Sequence, residues 1–261
     1  MNVFLCQSDI RWEDKAANFT RVRELLASAQ PPRGSLLVLP EMFATGFTMN
    51  VPAIHEAAGG ETEKFLAELA AEYQSAVIGG LVTLGPEGKG RNQALAVAPD
   101  GKVLARYSKI QPFSLGGETQ SCGSGTEVVL FSWGDFQIAP FVCYDLRFPE
   151  LFRVAAWREA EVLVVIANWP VKRIGHWVTL LQARAIENQA YVIGVNRSGT
   201  DPSFQYTGRS LVVDPHGQII ADAGIVEGVA AAEISRDVVV NWRRDFPALR
   251  DIHPQFIPAA G

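Results

Sequence analysis

The chain has 261 residues, 48% hydrophobic and 20% charged, which is the make-up of an ordinary globular protein. A chain of that length can bury roughly 70–75% of its unfolded surface, so neither a disulfide nor a metal is needed to hold it together. A net charge of −5 with no basic stripe weighs against nucleic acid and anionic membranes as partners.

Residues 3–7 read as a first strand. The apolar run there is too short for a secretory leader and has no basic segment before it. Residues 14–29 have a helical period, with Phe19, Val22, Leu25 and Leu26 on one face. A buried strand is predicted over 35–39 and an amphipathic helix over 61–73, which repeats Phe65, Leu66, Leu69 and Tyr73. Three strands follow at 76–84, 93–98 and 103–107, joined by the turns GPEGKG and PDG.

The second half repeats the theme. Strands are predicted at 127–132 and 136–143 around the turn WGD. A helix at 149–159 opens on a proline, a strand covers 162–168, and a long helix covers 174–189. Strands are predicted at 191–196, 210–213, 219–221 and 229–234, with PHG as a turn, and residues 240–261 form a tail that begins helical and ends irregular. No stretch reaches the roughly 18 apolar residues of a membrane span. There are too many hairpin turns for a purely parallel sheet and too many helices for a β-sandwich. Two packed sheets covered on their outer faces by helices use both kinds of element. The expectation is therefore an α/β protein built as a four-layer α-β-β-α sandwich, in a single domain over 1–261.

Cys6, Cys122 and Cys143 are the three cysteines. They lie far apart without CxxC spacing, which argues against a disulfide framework and predicts a reducing, cytoplasmic setting. Cys143 closes an apolar run in FVCYDLRFPEL, where polar residues crowd in. A lone strand cysteine is ordinarily buried packing. Its place where a strand gives way to a polar loop favours a site, and Arg147 with the helix opening at Pro149 adds positive potential that would favour a thiolate. A Cys–His pair is not suggested, because His55, His176, His216 and His253 all lie in loops, turns or at a helix start.

Carboxylates are better candidates for a proton acceptor. In SLLVLPEMFATGF, Glu41 follows a buried strand and has apolar neighbours, with no other charge between Gly34 and Glu56. A surface glutamate is the ordinary alternative. A desolvated one would be a usable base. In RYSKIQPFSLGGE, Lys109 also follows a strand, and Glu118 follows two glycines. Alone, each reads as a solvated charge. Together, LPE, YSK and VCYD each place one reactive group at the end of an apolar run, so Glu41, Lys109 and Cys143 converge if the strands share one edge.

LPEMFATGF, YSKIQPF and FVCYDLRFPE, in this order, resemble the three signatures of the nitrilase, or carbon–nitrogen hydrolase, superfamily. The resemblance covers nearly the whole chain, including Asn92 in RNQALAV, NWP at 168–170, QARAIENQAYVIGVNR and GRSLVVDPHG. It implies the same α-β-β-α sandwich, a Glu41–Lys109–Cys143 triad, and Glu118 as a second glutamate that positions the lysine. It also implies cofactor-free acyl transfer with no metal and a homodimer. Cys143 would attack an amide carbonyl, and Lys109 and the Tyr144 backbone N–H would hold the oxyanion. Tyr144 stands where a true nitrilase usually has tryptophan, which favours amides over nitriles. CYDLRFPE, the GGE loop and RRDFPALR resemble the amidase branch that contains ω-amidase, whose substrates are 2-oxoglutaramate and 2-oxosuccinamate. An N-carbamoyl amino-acid hydrolase and a catalytically silent binding protein are the alternatives.

For a small amide with a distal carboxylate, Arg147 would supply a two-pronged contact. The competing reading has it pairing with Glu150 or Asp145 to shape the loop. Trp169 reads as pocket wall or plain core.

Overall fold

Strand β1 (Asn2–Gln7) alternates its side chains between two interiors. Val3 and Leu5 face the space between two sheets, while Phe4 and Cys6 face helix α1 (Lys15–Ala29). The computed structural model describes residues 1–85 and 88–257, so part of the predicted turn GPEGKG and the end of the tail lie outside the described residues. Strand β2 (Leu36–Val38) follows the same parity: Leu36 and Val38 point inward, and Leu37 points to the helices. Both strands are apolar on both faces because each lies between two covered layers.

A short helix, α2 (Val51–Ile54), leads to α3 (Glu61–Tyr73), and three strands follow: β3 (Ala76–Leu84), β4 (Gly90–Val97) and β5 (Val103–Ser108). The first sheet has the order β14-β1-β2-β3-β4-β5. Helices α1 and α3 cover its outer face, where Phe65 stacks on Phe19 with ring centroids 4.1 Å apart.

After α4 (Glu118–Ser121) come β6 (Phe131–Trp133), β7 (Phe136–Val142), α5 (Pro149–Trp157), β8 (Val162–Ala167), α6 (Ile174–Asn188) and β9 (Tyr191–Asn196). A small hairpin, β10 (Ser198–Thr200) and β11 (Gln205–Thr207), precedes β12 (Leu211–Val213), β13 (Ile219–Asp222), β14 (Gly228–Glu233) and α7 (Arg236–Asp245). The second sheet has the order β13-β12-β9-β8-β7-β6, with β7, β8 and β9 parallel. Helix α6 lies against it because Gly194 leaves room. A Cβ there would sit 2.5 Å from Leu181 and 2.8 Å from Trp177.

The two sheets face each other. Tyr107 of β5 meets Phe141 of β7 edge-on at 5.6 Å, and Trp133 Nε1 donates to Ser35 O at 3.0 Å. The four expected layers are therefore present: α1 and α3, the first sheet, the second sheet, and α5 with α6.

Several predicted boundaries differ, and three of the differences matter here. The strand expected from 127 begins at Phe131, because only the β6–β7 turn region pairs. Cys143 is not a strand residue: β7 stops at Val142 and Cys143 opens a 3-10 turn, Cys143–Arg147. Helix α7 starts before residue 240 and buries Val239, and Arg243 donates to Ala160 O at 2.6 Å. The predicted tail thus begins inside a packed helix. Among the described residues no helix is long and apolar enough to cross a membrane.

Candidate active site

The carboxyl ends of β2, β5, β7 and β8 come together at one edge of the sandwich, and each delivers one group. Glu41 follows β2. Its backbone turns sharply at Met42, whose φ is +44°, and the turn lies against β3 at Gly80. A Cβ on Gly80 would sit 2.3 Å from Met42 N and 2.6 Å from Glu41 Cα, so only glycine permits this approach. The Glu41 carboxylate is fully buried, and each of its oxygens is engaged. Oε1 accepts from Asn92 Nδ2 at 2.7 Å and from Lys109 Nζ at 3.0 Å, and Oε2 accepts from the Asn168 N–H at 2.8 Å.

Lys109 leaves β5 tied to β4: its N–H donates to Asn92 O at 2.8 Å. Its ammonium is 1% exposed and donates to Glu118 Oε2 at 2.8 Å as well as to Glu41. Burial alone would lower its pKa, but the neighbouring Glu118 and Glu41 carboxylates outweigh it and hold it well above the usual lysine value. Glu118 also accepts from Asn92 Nδ2 at 2.8 Å and from the Phe113 N–H at 2.6 Å. Asn92 therefore spans the two carboxylates that flank the lysine. The glycines before Glu118 let the chain enter α4 with that side chain turned inward, as Gly117 has φ +75°.

Cys143 sits beside this cluster with a left-handed backbone, φ +47°, uncommon for a residue with a Cβ. Its Sγ lies 3.9 Å from Asn168 O. Burial, with the Glu41 charge, pushes its thiol pKa well above the ordinary value, while Lys109 pulls it back. This reverses the expectation that Arg147 and the helix start would favour a thiolate. The buried set holds two carboxylates against one ammonium, and that excess of negative charge opposes a third anion on sulfur.

The turn that carries Cys143 is pinned by Asp145. Its Oδ2 accepts from the Val142 N–H at 3.0 Å and from the Tyr107 hydroxyl at 2.8 Å, and its Oδ1 accepts from the Gln111 N–H at 2.9 Å. The loop after β8 is fixed the same way. Asn196 accepts from the Trp169 N–H at 2.7 Å and donates to Trp169 O at 3.0 Å, and Asn168 Nδ2 donates to Glu41 O at 2.7 Å.

Above the sulfur is a pocket, partly open to solvent. Phe47, Phe113, Trp169 and Tyr206 wall it, and Tyr144, Arg147 and Arg173 reach it. Trp169 is both wall and core: it is 2% exposed and packs on Trp177, with the Arg147 guanidinium 4.8 Å above its ring. Arg147 pairs with neither Glu150 nor Asp145. Its one polar side-chain contact among the described residues is His176 Nδ1 at 3.3 Å. Thus Cys143, Tyr144, Arg147 and Trp169 line the pocket, and Glu41, Lys109 and Glu118 form a buried cluster beside Cys143, outside the lining.

Other side chains at the site have no role that the sequence assigns. Asn92 and Asn168 stand inside motifs quoted above, yet an amide side chain carries no signal of what it bridges. Asp145, Asn196, Arg173 and the hairpin residues Phe204 and Tyr206 come from separate segments that only the fold unites. The histidines stay away from the sulfur: His55 bonds Val51 O, His216 packs on Trp242, and His253 packs on Phe256. No group of three or more His, Cys, Asp or Glu placed to hold a metal occurs among the described residues.

The family model for carbon–nitrogen hydrolases matches residues 2–244. The chain is 40% identical to omega-amidase YafV of Yersinia enterocolitica over 96% of each chain. It is 30% identical to the 2-oxoglutaramate amidase of Bacillus subtilis, covering 94% of this chain and 95% of that one. Its fold superposes with a TM-score of 0.91 on a CN-hydrolase superfamily protein from Xanthomonas campestris that carries an arsenic adduct in its active site, at 33% identity and 97% coverage of both chains. With two sheets between helix layers and the buried Glu41–Lys109–Glu118 set beside Cys143, this chain belongs to the carbon–nitrogen hydrolase family.

Proposed function

We propose that the protein is a thiol amidase that releases ammonia from small ω-amides bearing a distal carboxylate, in the manner of the omega-amidase and 2-oxoglutaramate amidase it resembles. The observation that carries this reading is the buried Glu41–Lys109–Glu118 cluster beside Cys143, which itself lines a pocket whose charged lining groups are arginines.

The geometry gives each group a task. Cys143 rests as a thiol, so Glu41 takes its proton as Sγ attacks the amide carbon. The carbonyl oxygen becomes an oxyanion held by the Lys109 ammonium and the Tyr144 backbone N–H. Glu41 passes its proton to the amide nitrogen, the C–N bond breaks, and ammonia leaves a thioester on sulfur. Water then loses a proton to Glu41 and attacks the thioester, and collapse returns the proton to sulfur. Glu118 and Asn92 keep Lys109 and Glu41 aimed throughout. Arg147 takes the distal carboxylate. The thiols of Cys6, Cys122 and Cys143 are all free, which suits a reducing cytoplasm.

The test is ammonia release across ω-amides with a free carboxylate, neutral amides, nitriles and N-carbamoyl amino acids. Preferred turnover of the carboxylate-bearing ω-amides is expected. Release of carbon dioxide together with ammonia from carbamoyl amino acids as best substrates would replace this reading with a carbamoyl hydrolase.

A further inference from the structure

The geometry points to His176 as a positioning residue: its neutral imidazole holds the Arg147 guanidinium in the orientation that receives the substrate carboxylate, and protonation of the ring releases it. The inference rests on the amidase reading above, in which Arg147 takes the distal carboxylate, and it makes that contact depend on pH.

Arg147 ends the turn that opens at Cys143, and His176 lies in the first turn of α6. Their side chains meet with Arg147 Nη2 3.3 Å from His176 Nδ1. A guanidinium only donates hydrogen bonds, so Nδ1 must carry a lone pair and the ring proton must sit on Nε2. Two contacts then fix the guanidinium. Trp169 lies against its face at 4.8 Å, and His176 takes one N–H of its edge. Stacking alone lets a planar group turn over the ring, whereas an edge bond sets the direction in which its remaining N–H groups point.

Protonation of the imidazole removes the acceptor. An N–H and a positive charge then stand where the lone pair was, against a guanidinium that stays charged. The bond becomes a repulsion, and Arg147 keeps its ring but loses its direction. The charges on the elements packed around α6 do not restore the bond. In the Cys143–Arg147 turn, Asp145 is occupied by Val142, Tyr107 and Gln111. On α5, Arg153 is a further cation and the exposed Glu150 acts on Arg184, which pairs with Glu187 on α6 itself. The Val171–Arg173 turn adds two cations, Lys172 and Arg173, the latter over Phe113 at 5.5 Å. Strands β9 and β12 carry Tyr191 as their one ionisable side chain, and its hydroxyl donates to Ser235 O at 3.3 Å.

The experiment measures KM and kcat of the parent, His176→Ala, His176→Asn and Arg147→Ala on glutaramate, which has a distal carboxylate, and on pentanamide, which has none. Where pentanamide is not turned over, its inhibition constant replaces KM. Each is measured at about pH 8 and about pH 5.5, on either side of the range where imidazoles ordinarily titrate. The parent's KM for glutaramate should rise about five- to tenfold at the lower pH, the worth of one hydrogen bond to a charged group, while the value for pentanamide stays level. His176→Ala should show the raised KM at both pH values. His176→Asn puts an amide oxygen where Nδ1 stood and cannot gain the proton, so it should keep the low KM at both. The kcat of the two His176 variants should follow the parent at each pH, because the bond acts on binding. A parent KM for glutaramate that stays level at low pH overturns the inference. So does one that falls, which would mean that the imidazolium itself binds the carboxylate, and so do equal rises for both amides, which would mark a general loosening of the pocket. An unchanged KM for glutaramate in Arg147→Ala removes the carboxylate contact on which the inference stands, and failure of the parent to hydrolyse glutaramate overturns the amidase reading itself.

Discussion

The Tyr107 hydroxyl donates to Asp145 across the space between the two sheets, at 2.8 Å. Asp145 also receives the Val142 N–H, one residue before the sulfur, and the Gln111 N–H, two residues after Lys109. One carboxylate therefore sets the strand end that carries the thiol against the loop that carries the ammonium. Asparagine in its place offers one oxygen and one NH2 to the same donors, so a backbone N–H loses its acceptor, at a cost of about 1–3 kcal/mol. Asp145→Asn is expected to melt lower and to lose roughly 10- to 100-fold in kcat with little change in KM. Steady-state kinetics and thermal unfolding check both, and a KM effect without a kcat effect would contradict the positioning role.

The same residue gives the protein a pH dependence near neutrality. Burial pushes the Asp145 carboxyl from 3.8 up to about 7, while Lys109 and hydrogen bonds from Val142, Gln111 and Tyr107 pull it down. The folded form therefore holds this proton over a range where the unfolded chain has released it. The contribution to stability is complete below about pH 4 and is lost as pH rises through about 7. Ionised Asp145 satisfies all three donors, so kcat should rise with pH through the same range. In Asp145→Asn the kcat rise should vanish, and stability should change less between pH 5 and 8. Denaturant midpoints and kcat profiles on both proteins measure this.

Cys143 carries a thiol whose pKa lies well above the ordinary value because its half-buried sulfur is desolvated beside Glu41. Its alkylation by iodoacetamide should therefore still accelerate above pH 9, and Lys109→Met should slow labelling at a fixed pH by removing the charge that favours the thiolate. Cys143→Ala should abolish turnover. Cys6, pushed by burial to about 12, and Cys122, to about 11, should stay unlabelled in the folded protein, and alanine at either should leave turnover within a few-fold. Mass mapping of the adduct separates the three.

Lys109→Ala removes the cation between two buried carboxylates that Asn92 also joins. Breaking such a pair from one side costs about 3–5 kcal/mol. The lost oxyanion donor alone costs about 10²–10³ in kcat. The double variant Lys109→Met with Glu118→Gln should recover part of the stability and none of the turnover. Chemical unfolding alongside kcat checks this, and recovered activity would remove Lys109 from the chemistry.

The strands that end in LPE, YSK and VCYD were legible because an apolar run followed by a charged group is a local pattern, and so were the layers, from the alternation of strands and helices. The bounds of α3, β3 and β9 needed only periodicity and flanking turns. The hairpin of β10 and β11 was not legible: its strands are three residues each and partly polar, and they pair in isolation from both sheets. Asp145 looked like a loop residue because two of its three donors, Tyr107 and Gln111, come from a distant segment and the third, Val142, from the strand just before its own turn. Asn92, Asn168 and Asn196 act by bridging, and a bridge is visible only once both ends are placed. The proton state of Cys143 depends on Glu41, 102 positions away in sequence (143 − 41).

The positive φ of Cys143 means that the position most needed for chemistry is one that the backbone would rather give to glycine. A side chain there costs about 1–2 kcal/mol relative to the right-handed region. Cys143→Gly should accordingly unfold at a higher temperature than Cys143→Ala, although both are inert, and a calorimetric comparison of the two measures the strain directly. A laboratory search that rewards heat resistance alone would be drawn towards that glycine and would discard the enzyme while improving the protein. Any thermostabilisation of this chain therefore needs turnover as a co-selected trait, with residue 143 held fixed.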